Sequence, residues 1–179
     1  MQEVFSHTPR GDIYYLLRSI FVFTATVELA GAALLFFHWW RSYPVGKALY
    51  LSLFHSVSAF CNAGFSLFAN SFIDEQGSVL LNLAICTLIV LGGLGFPVVY
   101  ELYRRTTDKQ RRSRRFSVQF KTVLVTTGLL IILGMIVLLI TEHTLLKNSS
   151  FGDRLMAALF QSVTCRTAGF NTVDIGALN

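Results

Sequence analysis

The sequence predicts an all-α membrane protein built from a repeated unit: a spanning helix, a short helix with a small-residue loop, and a second spanning helix. Three observations carry this reading. Apolar residues make up 53% of the 179 residues and charged residues only 14%, against about 25% charged in soluble domains. The apolar stretches alternate between spanning length and something clearly shorter. The short stretches also resemble one another. A disordered chain and a disulfide-stapled secreted module are both excluded, since Cys61, Cys86 and Cys165 show no CxxC or Cys/His ligand spacing. A nucleic-acid partner is excluded despite the pI near 9.4, because the basic surplus concentrates in one short run between spans.

The first stretch runs from Ser19 to Trp40. At 1.5 Å per residue it covers the hydrocarbon core of about 30 Å. Trp39, Trp40 and Arg41 stand where a signal peptide would need small residues, and with Tyr43 they suit an interfacial aromatic belt. Lys47 to Phe60 is too short to cross and suits a re-entrant helix. Val79 to Tyr100 is again of spanning length, with a kink region at Gly92-Gly93-Leu94-Gly95-Phe96-Pro97.

Arg104 to Arg115 then holds seven basic residues and one acid, Asp108. Next come an apolar stretch from Val118 to Thr141 and a second short amphipathic piece from Arg154 to Cys165. The positive-inside rule makes the basic loop cytoplasmic and puts both short pieces on the outer side. Ten of the fifteen Lys and Arg residues then fall inside. The expected organisation is a cytoplasmic lead-in over 1–18 and a repeat over 19–103 with its pore loop near 47–65. A basic loop over 104–117 leads to a partial repeat over 118–179 with its pore loop near 152–170.

The repeat itself lies in LFHSVSAFCNAGF (Leu53–Phe65) and LFQSVTCRTAGF (Leu159–Phe170), about 105 residues apart, with seven or eight identities across one gap. A short helix entering from outside points the negative end of its dipole toward the membrane interior. The chain must then leave through irregular backbone, which membrane depth tolerates only where it is buried or lines a watery cavity. Carbonyls ringed about an axis can replace the hydration shell of a cation. Gly64 and Gly169 let the backbone turn and come close to an ion.

At FHSVSAFCNAGFSLF (Phe54–Phe68) and FQSVTCRTAGFNTVDIGAL (Phe160–Leu178) the sequence resembles the superfamily of Trk, Ktr and plant HKT potassium transporters. The resemblance implies a pseudo-fourfold cation-channel fold of four span–pore-loop–span repeats, of which this chain carries the second and the start of the third. It implies K⁺ transport, with Na⁺ as the second candidate ion, in a multi-pass protein of the plasma (cell inner) membrane. It places backbone filter carbonyls at Cys61, Asn62, Ala63 and Gly64 and at Arg166, Thr167, Ala168 and Gly169. It further implies a homodimer of full-length subunits and a cytosolic nucleotide-binding regulatory partner. One glycine per loop, where tetrameric K⁺ channels carry two, suggests weaker selectivity.

Arg166 would repel a cation if it faced the axis, and is expected to point behind the loop and pair with an acid or carbonyls. Glu28, in mid-span, is costly against lipid and either lines the ion path or is buried with a partner. Asp174 stands at the outer mouth, as a cation concentrator or an exposed cap. His55 is read as a hydrogen-bonded packing residue. No catalytic set, transition-metal site or cofactor motif can be assembled, so an enzyme is disfavoured. The alternative to a transport subunit is a non-conducting membrane protein that regulates full-length subunits. With two of four loops, the chain alone is expected not to conduct.

Overall fold

A computed structural model describes residues 10–107, 116–141, 150–173 and 176; the side chains of 10–12 and 103–107 are left aside. All of the regular structure among the described residues is helical. Helix α1 (Arg10–Trp39) begins inside the expected lead-in and reaches the Trp pair. Pro44 precedes α2 (Val45–Phe60), its extended backbone setting the corner between them. A 3₁₀ turn at Ile73–Glu75 leads to α3 (Val79–Leu94), whose first turn is capped by the Ser78 hydroxyl, which accepts from the Leu81 N–H. Then follow α4 (Phe96–Thr107), α5 (Val118–Thr141) and α6 (Phe151–Thr167).

Two helices are long and apolar enough to cross a membrane among the described residues, Ile13–Trp39 and Val118–Thr141. The stretch from Val79 to Tyr100 is not one helix. It breaks at Gly95, and α4 leaves at 99° to α3. Gly95 has φ of +79°, a conformation that an L side chain resists, so the helix ends there. If α3 crosses the bilayer, α4 runs along its surface, which suits a helix that is apolar at Phe96-Pro97-Val98-Val99 and basic at Arg104-Arg105. Glu101 of α4 accepts hydrogen bonds from the Ser117 N–H and hydroxyl, tying α4 to the start of α5. Most of the basic loop, 108–115, lies outside the described residues.

Helix α2 is re-entrant in its connections as well as in its length. Only five residues separate it from the end of α1. The chain that leaves α2 returns to that same end of α1, where Glu75 accepts from the Trp39 indole at 3.3 Å and bonds His38 at 2.9 Å.

Each short helix is fastened to the span before it by the same device. The Ser56 hydroxyl of α2 donates to the Glu28 carbonyl of α1 at 2.6 Å. The Ser162 hydroxyl of α6 donates to the Ile131 carbonyl of α5 at 2.7 Å. In each span a glycine follows three residues later, and a Cβ there would press on the serine oxygen, at 2.7 Å for Gly31 and 2.5 Å for Gly134. Small residues of this kind let membrane helices approach closely enough for such bonds. The core between these pairs is aromatic and aliphatic, with Trp39, Phe72, Phe160 and Phe170 fully buried.

Ser56→Ala and Ser162→Ala should each lower unfolding stability in micelles by about 0.6 kcal/mol, the mean for such bonds in membrane bundles. Gly31→Ala and Gly134→Ala should cost more, because each also separates the helices. Equal losses for the serine and glycine variants would refute the shared device.

Candidate functional site

The two loop ends meet. Helix α2 closes with a Schellman motif: the Asn62 N–H donates to the Ala59 carbonyl and the Ala63 N–H to the Ser58 carbonyl. Asn62 takes the left-handed position this motif needs, with φ of +54°. Gly64 follows at φ +70°, and its Cα faces the Ala168 carbonyl so closely that a Cβ would lie 1.9 Å from the oxygen. In the second repeat, α6 continues through Arg166 and Thr167, and Gly169, at φ +93°, makes the exit. The one-residue gap between the repeats therefore falls at the last helical turn. Arg166 and Thr167 are helical, whereas Asn62 and Ala63 have already left α2.

The loops are joined by side chain and main chain. Thr167 donates to the Asn62 side-chain oxygen at 2.7 Å, linking positions 105 residues apart. Further out, the Phe72 N–H donates to the Asn171 carbonyl at 2.8 Å, and the Asn171 N–H donates to the Ser71 hydroxyl at 3.0 Å. Phe72 packs on Phe160 and Phe170, so an apolar seam backs these bonds. Cys61, Ala63, Thr167 and Gly169 are exposed, Asn62 and Gly64 intermediate, and Ala168 buried.

His55 holds the first loop from behind. The Leu51 carbonyl only accepts, so the Nδ1 at 2.8 Å from it carries the proton. Nε2 then accepts from the Leu67 N–H at 3.2 Å and faces the Ser66 hydroxyl at 3.3 Å. The ring stacks on Phe68 at 5.2 Å and 10°, and the Ser58 hydroxyl donates to the Phe65 carbonyl at 2.9 Å. Residues 65–68 are thus pinned to α2 at four successive positions. Sequence reasoning missed Ser58; its spacing from the loop, seven residues ahead of Phe65, is the signal that could have found it.

Arg166 reaches from α6 toward α5 and α3. Its partner is neither an acid nor a carbonyl: Nη1 donates to the Thr127 hydroxyl of α5 at 3.0 Å, and the guanidinium lies against Gly93 of α3. Its Nε and Nη2 are buried without a hydrogen-bond partner among the described residues. The Glu28 carboxylate is partly exposed on α1, within electrostatic reach of Cys61, with no ion-pair partner among the described residues. Asp174 lies outside the described residues.

Two short helices hung on their spans, with their C-terminal loops joined to one another, define a pore-loop membrane protein. Residues 6–179 match the TrkH family, described as a cation transport protein. Ktr system potassium uptake protein B of Bacillus subtilis (strain 168) is 35% identical, over 99% of this chain and 40% of its own length. Potassium/sodium uptake protein NtpJ of Enterococcus hirae is 34% identical over 97% of this chain. Ktr system potassium uptake protein B of Vibrio alginolyticus is 32% identical over the same share. The chain belongs to the TrkH cation transport family, whose members are transporters rather than enzymes. It spans 38–40% of the length of these relatives.

Two outcomes follow from the loop geometry. Gly64→Ala should prevent the loops from meeting, because the Ala168 carbonyl is main chain and cannot move aside. Gly169→Ala carries only the cost of positive φ, of order 1 kcal/mol, since nothing lies within 4 Å of its Cβ position. Thermal unfolding in micelles should rank Gly64→Ala well below Gly169→Ala, and the reverse order would contradict the contact. Arg166→Lys should destabilise the α5–α6 junction, since an ammonium does not reproduce the planar guanidinium fork; unchanged folding would show that the fork is dispensable.

Proposed function

We propose that this chain forms part of the wall of a K⁺-conducting pathway, as the second repeat and the start of the third in a larger pseudo-fourfold subunit. The carrying observation is the joined pair of loops, in which Gly64 lies against the Ala168 carbonyl and Asn62 is bonded to Thr167. In this reading the main-chain carbonyls of Cys61, Asn62, Ala63 and Gly64, with those of Arg166, Thr167 and Gly169, face the ion, while the Ala168 carbonyl, expected among them, lies against Gly64 and joins the loops. Carbonyl oxygens there offset the loss of hydration as the cation enters. The negative ends of the α2 and α6 dipoles point the same way and favour positive charge.

Two further observations support a larger pore. Gly169 has open space where its counterpart Gly64 has a neighbouring loop. Arg166 has two buried donors that call for acceptors from another element. Potassium is the expected ion because the Ktr relatives are named for potassium uptake. The name of NtpJ adds sodium, and with one glycine per loop we expect Na⁺ to compete. The basic loop faces the cytosol in this reading and the loop mouths face outward. A homodimer and a cytosolic nucleotide-binding regulatory subunit complete the assembly that the resemblance implies.

The test is a graft. Residues 6–179, placed in the matching region of the Bacillus subtilis relative, should restore Rb⁺ uptake to cells that lack K⁺ uptake. Gly64→Ala in the graft should abolish it, and Na⁺ should reduce Rb⁺ uptake in competition. The 179-residue chain alone in liposomes should carry none. A graft that reaches the membrane yet carries no Rb⁺ would refute the reading, as would selective flux through the chain alone. Complete indifference to Na⁺ would refute the weaker selectivity.

A further inference from the structure

A cleft of about 580 Å³ opens between the first half of α1 and the start of α4, and Phe23 in its lining also meets Phe60 at the end of α2. Tyr15, Arg18 and Val22 line its α1 wall, at the three- and four-residue spacing that puts side chains on one helix face. Phe96 and Val99 of α4 form the opposite wall, and Phe23 meets Phe96 edge-on at 6.1 Å at the back. One end of the cleft is therefore polar and the other apolar. If α3 crosses the bilayer, the 99° bend lays α4 along the membrane surface, and the polar end then sits at headgroup depth with the apolar end toward the acyl chains.

Arg18 is exposed and has no ion pair or hydrogen bond among the described residues. The acid of α4, Glu101, accepts hydrogen bonds from Ser117 instead. A cation at headgroup depth beside a tyrosine, above an apolar slot continuous with the hydrocarbon, matches the two halves of an anionic lipid. Basic pockets between membrane helices recognise such headgroups through their phosphates. Guanidinium and phosphate pair through parallel hydrogen bonds.

We propose that this cleft is a binding site for an anionic glycerophospholipid of the leaflet at the basic end of the bundle. The phosphate pairs with Arg18, the Tyr15 hydroxyl supports it, and one acyl chain runs along Val22, Phe23 and Val99. Bound there, the lipid fills the angle between α1 and α4.

Native mass spectrometry of the full chain tests this, using phosphatidylglycerol and phosphatidylcholine with identical acyl chains. Phosphatidylglycerol should be retained about fivefold more strongly, the contribution of one basic residue near the membrane surface. Arg18→Gln, an exposed change that leaves folding intact, should bring the ratio close to one, and Arg18→Lys should keep part of the preference. Val22→Trp should fill the slot and weaken retention of both lipids. Equal retention of the two lipids by the unaltered chain would overturn the proposal. So would a preference that survives Arg18→Gln and disappears only when Arg111, Arg112, Arg114 and Arg115 are neutralised, since the headgroup would then sit on the loop. No effect of Val22→Trp would overturn the placement of the acyl chain and the site with it.

Discussion

The fold hangs on a hydrogen bond from a serine hydroxyl to a carbonyl in the middle of a spanning helix. Ser56 reaches Glu28 and Ser162 reaches Ile131, each over a glycine three residues further along the span. A short helix in a bilayer has little to hold it, because lipid tails are as apolar as leucine and give no hydrophobic drive toward the neighbouring helix. A bond to a fixed backbone atom, made possible by a missing Cβ, sets both the depth and the rotation of the short helix. The loop positions follow from that depth. With both helices anchored in this way, Asn62 and Thr167 come within hydrogen-bond reach of one another.

The second layer of constraint lies behind the loops. The aromatic cluster of Trp39, His55, Phe68 and Phe72 packs at the C-terminal end of α1 and fixes the segment that follows the first loop. His55 is polar inside this cluster, yet each ring nitrogen has a partner, so its burial is compensated. Glu75 clamps the same segment to His38 and Trp39 from above. Irregular backbone at this depth is supported from the pore helix, from the span and from the opposite loop. That support lets left-handed residues such as Asn62 persist there.

Much of this arrangement was legible in the residues. The difference in length between apolar stretches separates α1 and α5 from α2 and α6, because membrane thickness is a fixed ruler. The repeated Ala-Gly-Phe locates both loop ends. The break at Gly95 was visible only as a kink: composition shows that Gly-Phe-Pro weakens a helix, but not the 99° at which α4 leaves. The partner of Arg166 was not legible either. A charge in a membrane calls for an opposite charge, and the hydroxyl of Thr127 lies on a helix 39 residues away, with no spacing rule to connect them. Ser56 and Ser162 stood within the repeat from the start, but their acceptors are backbone atoms, which leave no mark on a sequence.

That last point bears on how two copies of one unit can diverge. A backbone acceptor asks nothing of the side chain on the same residue. Glu28 and Ile131 perform the same architectural task with their carbonyls while carrying chemically opposite side chains. Selection on folding alone is blind to that difference. The position at the anchoring carbonyl is therefore free to vary from one repeat to the next, and each repeat can acquire its own electrostatic character without renegotiating the scaffold. A ring of four identical chains has no such freedom, since any change is made four times at once.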